Sequence, residues 1–127
     1  MRRDEIVSLT WNKIDFDRRV LAIDLTKNGD KREVPLSTRA TEILSRLRRF
    51  NKPFDVNKDV LTALFRRACI ECGVLNAVFH DARATALTRL STKLSVLELA
   101  RMVGHRDLKS LMIYYRETAD ELAKKLD

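Results

Sequence analysis

Val20-Leu21-Ala22-Ile23-Asp24-Leu25, then Thr26-Lys27-Asn28-Gly29-Asp30-Lys31, then Arg32-Glu33-Val34-Pro35-Leu36 reads as a β-hairpin. The first segment is β-branched and aliphatic. The last alternates and stops at Pro35, which has no N–H to continue a ladder. Asn28-Gly29 between them suits the positive φ of a tight hairpin turn. Just upstream, Ile14 to Phe16 is a third short strand signal, set off by the polar turn Asp17-Arg18-Arg19. The expectation is a small three-stranded antiparallel sheet near the N-terminus.

Outward from the sheet the pattern changes to a helical period. Arg2 to Thr10 reads as a helix with Ile6 and Leu9 on one face. Ser37 or Thr38 can cap a helix to about Arg49, with Ala40, Ile43, Leu44 and Leu47 inward. Asn57 can cap the next, which runs to Cys72 and is ended by Gly73. Further helices are expected over His80 to Leu90, Val96 to Met102, Leu108 to Tyr114 and Ala119 to Leu126. The class is α+β, mostly α-helical, in one domain spanning residues 1–127.

Composition narrows the partners. The 127 residues are 45% hydrophobic with only 3 Gly and 2 Pro, a globular balance without a linker or repeat. A net charge of +7 favours a polyanionic partner through counterion release. No apolar run is long enough to span a membrane, and Met1-Arg2-Arg3-Asp4-Glu5 lacks the apolar core of a signal peptide. The expected compartment is the cytoplasm, with no membrane partner. Cys69-Ile70-Glu71-Cys72 has half the spacing of a zinc site. However, both cysteines fall on the apolar stripe Leu61, Leu64, Phe65, Ala68, Cys69 and Cys72, so core packing is expected.

The chemistry-bearing residues come in a fixed order. His80-Asp81-Ala82-Arg83 is followed by Gly104-His105 and then by Tyr114, nine positions after the second His (105 + 9 = 114). A phenolic oxygen is a poor nucleophile toward a phosphodiester, and basic groups upstream are what its attack would need. Arg2-Arg3-Asp4-Glu5-Ile6 adds an Arg with an acid three residues on, and Lys27 sits at the hairpin turn.

These motifs resemble the C-terminal catalytic domain of the tyrosine recombinase (phage integrase) family, over essentially the whole chain. The resemblance implies Arg2 as the first-box arginine, paired with Glu5 and with Arg3 as runner-up. It implies Lys27 as the hairpin lysine, His80 and Arg83 as the His-x-x-Arg box, His105 as the Gly-His histidine and Tyr114 as nucleophile. Tyr115, adjacent to it, would diverge by about 100° on a helix and face elsewhere. His80 and Arg83, nearly one turn apart, can reach one phosphate together. A pocket built from the hairpin and three helices is expected, with Arg83 contributing little to stability as an exposed side chain.

By the same resemblance, Arg2, Arg83 and His105 would stabilise a pentavalent phosphorane. His80 would assist proton removal from Tyr114, and Lys27 would protonate the 5′-oxygen leaving group. The product is a 3′-phosphotyrosine that another 5′-hydroxyl can reverse. No cofactor or metal is implied. The partner is double-stranded DNA, with a monomer or weak oligomer when free and a tetramer on recombining DNA. The chain starts at the first Arg box, so it is expected to lack the family's N-terminal core-binding domain and the first part of the catalytic domain. Two rival readings are a type IB topoisomerase-like nicking-closing enzyme and a non-catalytic basic helical DNA-binding module. The Gly-His box and the short His-to-Tyr spacing favour the recombinase over the first.

Overall fold

Three short strands, β1 (Ile14–Asp15), β2 (Val20–Ile23) and β3 (Arg32–Pro35), form an antiparallel sheet in the order β1-β2-β3. The computed structural model describes residues 1–24, 31–104 and 108–126. The expected Asn28-Gly29 turn lies outside them. The register pairs Ile14 with Leu21, Leu21 with Val34 and Ile23 with Arg32. Because side chains alternate across a strand, this places Ile14, Leu21, Ile23 and Val34 on one buried face, and Arg32 with them. At the β1–β2 turn Arg19 adopts a φ of +54°, while Asp15 Oδ1 accepts the Arg18 N–H at 2.9 Å.

Side chains from several later and earlier segments cover that face. α1 (Arg3–Val7) leads into Leu9, which joins the buried strand residues and Leu44 in a first core cluster. Leu44 comes from α2 (Thr38–Leu47), whose first turn is capped by Ser37, its Oγ accepting the Ala40 N–H at 3.2 Å. The expectation that Ile43 points inward does not hold: it is 47% exposed. Leu44 is the buried residue of this helix, Ala40 and Leu47 beside it are half-buried, and Ile43 lies about 100° away from Leu44.

α3 (Lys58–Glu71) begins at Asn57, whose Oδ1 accepts the N–H groups of Asp59 and Val60. It ends where Gly73 reverses the chain at a φ of +69°. The core role expected for its cysteines is overturned: no residue of α3 is buried, Cys69 is half-buried and Cys72 exposed. The helix leans by one edge on its neighbours, through Arg3–Thr62 and an edge-on Phe65–Phe79 pair with centroids 5.3 Å apart. Leu64, Ala68 and Cys72 of its apolar stripe are exposed.

The C-terminal half is helical: α4 (Phe79–Ser91), α5 (Val96–Val103), α6 (Lys109–Met112) and α7 (Ala119–Ala123). Leu87, Leu99, Ala100, Val103 and Leu111 form a second core cluster. Ser95 and Glu98 close a capping box at the start of α5, and Gly104 ends it in the left-handed conformation at φ +71°. α5 serves both halves, because Met102 packs on the first cluster while Leu99, Ala100 and Val103 build the second. Among the described residues no helix is long and apolar enough to cross a membrane.

Candidate active site

The first site residue stands at the start of α1. Arg2 is its N-cap, in an extended conformation, and its backbone N–H donates to Glu5 Oε2 at 2.6 Å. The other Glu5 oxygen lies 3.6 Å from Arg2 Nη1. An acid three residues into the helix thus satisfies an orphan donor and holds the arginine at its mouth. Arg3, the runner-up, is turned elsewhere: its Nη1 donates to Thr62 Oγ1 at 2.9 Å on α3.

The second pair comes from the start of α4. The Val78 N–H donates to Asp81 Oδ2 at 2.8 Å, so Asp81 fixes where the helix begins. That leaves His80 exposed in the first turn and Arg83 one turn deeper. Arg83 is not the exposed side chain expected: only 8% of it is accessible. Its Nη2 donates to Val103 O at 3.4 Å, and among the described residues its buried Nη1 has no hydrogen-bond partner. Burial, reinforced by Arg2 and opposed by Glu5, holds the guanidinium below the usual arginine value.

Leu111, 1% exposed, anchors α6 in the second core, and Tyr114 follows just past the helix with its N–H donating to Leu111 O at 3.0 Å. The two tyrosines diverge. Tyr115 packs against the second core and donates its hydroxyl to Leu94 O at 2.7 Å, and burial raises its phenol above the ordinary value. Tyr114 also packs on that core, but it lines a cavity of about 170 Å³ together with Arg2, His80, Arg83, Ala84, Leu87, Ser110 and Leu111. That is room for a phosphate group, given about 30 Å³ per water in the liquid.

Four of the six residues picked from the sequence therefore line one cavity. Lys27 and His105 lie outside the described residues. A second pocket of about 380 Å³ shares Arg2, His80 and Arg83 and adds Arg3, Thr62 and Phe79, extending the cleft toward α3. Among the described residues no three His, Cys, Asp or Glu side chains gather as a metal would require.

Sequence reasoning passed over Arg32. Its Nη2 donates to Glu5 Oε1 at 2.7 Å, and only 7% and 10% of the two side chains is exposed. Burial alone would raise the Glu5 carboxyl. The hydrogen bonds from the Arg2 N–H and from Arg32 outweigh it and hold the group below the ordinary glutamate range. Arg2, Arg32 and Arg83 thus act on a single carboxylate, a local excess of positive charge suited to an anion. The available signal was the strand alternation, which puts Arg32 on the same face as Val34.

The phage integrase family model matches residues 1–121. A putative integrase/recombinase of Haemophilus influenzae is 39% identical over the whole chain, and the match covers 43% of that protein. The shufflon-specific DNA recombinase of Escherichia coli is 34% identical, again over the whole chain, with 34% of the relative covered. The chain thus spans less than half the length of these relatives. Among solved structures, the Tn1549 transposon integrase in complex with circular intermediate DNA superposes with a TM-score of 0.83 at 19% identity, over 100% of this chain and 53% of that one. With family pattern and fold in agreement, the chain belongs to the phage integrase family.

Proposed function

We propose that this chain carries the strand-cleaving site of a site-specific DNA recombinase, with Tyr114 as the nucleophile. The observation that carries the reading is that Tyr114, Arg2, His80 and Arg83 line one small cavity although they come from distant parts of the chain. The DNA-bound transposon integrase of the same fold supports double-stranded DNA as the partner.

In this reading the Tyr114 oxygen attacks the scissile phosphorus and gives its proton toward His80. Arg2 and Arg83 present planar forks to the non-bridging oxygens, where negative charge grows. The buried Arg83 donor gains a partner in that state, so its grip is stronger in the transition state than before it. His105 adds a hydrogen bond to the same oxygens. The P–O5′ bond breaks as Lys27 protonates the leaving oxygen, giving a 3′-phosphotyrosine and a free 5′-hydroxyl. Attack by a 5′-hydroxyl of another strand reverses the step and joins new ends. The chemistry needs no metal. Recombination would proceed in a tetramer assembled on DNA in the cytoplasm of a bacterial or phage-infected cell.

The test is a nicked suicide duplex, from which the cleaved fragment diffuses away and leaves the adduct trapped. Tyr114→Phe should bind DNA and form no adduct, whereas Tyr115→Phe should form one. An adduct that persists in Tyr114→Phe would end the assignment.

A further inference from the structure

Arg32 does not line the cavity, yet it is among the most enclosed charges of the chain. From β3 it reaches two other segments. Nη2 donates to Glu5 Oε1 on α1 at 2.7 Å, and Nε donates to Met102 O on α5 at 3.3 Å. A third contact is steric: a Cβ on Gly104 would lie 2.9 Å from both Cδ and Nη1 of Arg32. The backbone that precedes His105 therefore rests directly on the guanidinium, and only a glycine permits the approach.

Stability alone is a poor account of this pair. An enclosed ion pair loses about as much hydration as it gains in attraction, and well-packed apolar residues often serve as well or better. What the pair does supply is register. Glu5, held by Arg32, receives the Arg2 backbone N–H. Arg32 meanwhile fixes the end of α5, where Val103 O accepts from Arg83.

We propose that Arg32 is a positioning residue for the cleavage reaction, clamping the segments that carry Arg2 and Gly104 so that Arg2 and Arg83 meet one phosphate. This rests on the proposed function. Arg32 does not touch the phosphate. Its effect runs through the placement of the two guanidiniums that do.

Arg32→Met removes the clamp at nearly constant volume. Arg32→Met/Glu5→Gln does so without leaving an enclosed carboxylate unpaired, in case the single variant fails to fold. Gly104→Ala crowds the guanidinium and strains the left-handed end of α5 while both charges remain. Each is assayed for adduct formation on two suicide duplexes, one with an ordinary scissile phosphodiester and one with a neutral methylphosphonate there. A misplacement of about 1 Å costs on the order of 10²-fold in rate on the phosphodiester. On the methylphosphonate most of that loss should vanish, because there is less charge for the guanidiniums to hold. Equal losses on both duplexes, tracking a fall in melting temperature, would make Arg32 merely structural and overturn the proposal.

A second arm is independent of cleavage. The arginine side-chain N–H signals of Arg2 and Arg83 are followed by NMR while inorganic phosphate is added. In the unsubstituted chain they should shift together with one affinity. In Arg32→Met/Glu5→Gln they should separate and weaken about tenfold, and unchanged affinity would overturn the positioning role. If the unsubstituted chain shows the joint shift but cleaves neither duplex, the cleavage reading fails and the clamp remains.

Discussion

Arg83 holds a charge where water scarcely reaches, with one long hydrogen bond and a second arginine nearby. Such a group costs stability and is kept for what it binds. Arg83→Met, which retains the length of the side chain without its charge, is expected to raise the stability by about 1 kcal/mol, or a few degrees in melting temperature. It should also lower adduct formation by roughly 10²–10³-fold. Calorimetry beside the suicide-duplex assay reads both, and a fall in both would make Arg83 a structural residue. Tyr115 should behave in the opposite way. Tyr115→Phe removes the bond to Leu94 O and is expected to cost about 1 kcal/mol in urea unfolding while leaving the adduct in place. These two side chains also mark the reach of sequence reasoning. The motif order singled out Arg83, and the spacing of the resembled family, with the angle between neighbours, favoured Tyr114 over Tyr115. That Arg83 would be enclosed could not be read, because its cover comes from residues far along the chain.

At the scale of the element, the short α1 depends on Glu5. Its carboxyl is held below the ordinary value of 4.5, the penalty of burial being outweighed by bonds from the Arg2 N–H and Arg32. A depressed folded value means stability that is fully present above the unfolded value and lost as pH falls through the folded one. The stability difference between the native chain and Glu5→Gln should therefore be constant near neutrality and shrink below about pH 4.5. Urea titrations across that range measure it, and a difference that grows on acidification would contradict the assignment. Most elements were legible because their signals are local: Ser37 and Asn57 as caps, Gly73 as a stop, alternation in the strands. α3 was misread for a physical reason. Three-to-four spacing reports that one side of a helix is apolar, but not whether another element covers it, and Leu64 is 53% exposed. Arg32 was missed for the converse reason, since a charge on an inward strand position is intelligible only once its partner is known.

For the whole molecule, the net charge of +7 would set the character of the proposed DNA binding. If about five phosphates are neutralised, the log–log dependence of affinity on salt should have a slope of roughly −4 to −5. Fluorescence anisotropy with unrelated duplexes should give similar affinities at each salt concentration, and binding indifferent to moderate salt would refute a phosphate-led interface. The class, the sheet and the order of the helices were legible from the chain. The meeting of Arg2 with Tyr114 was available only through family resemblance, because no local rule links residues so far apart.

That meeting takes place on the seam between two cores. Arg2 belongs to the half built on Leu9, Leu21 and Val34, while His80, Arg83 and Tyr114 belong to the half built on Leu87, Leu99 and Leu111. Neither half holds both Arg2 and Tyr114, and α5 ties the two clusters together. On the proposed reading the weapon is divided between two keyholders: Arg2 is made before Tyr114, so a polypeptide still emerging, or one whose halves have parted, never brings both keys to the lock.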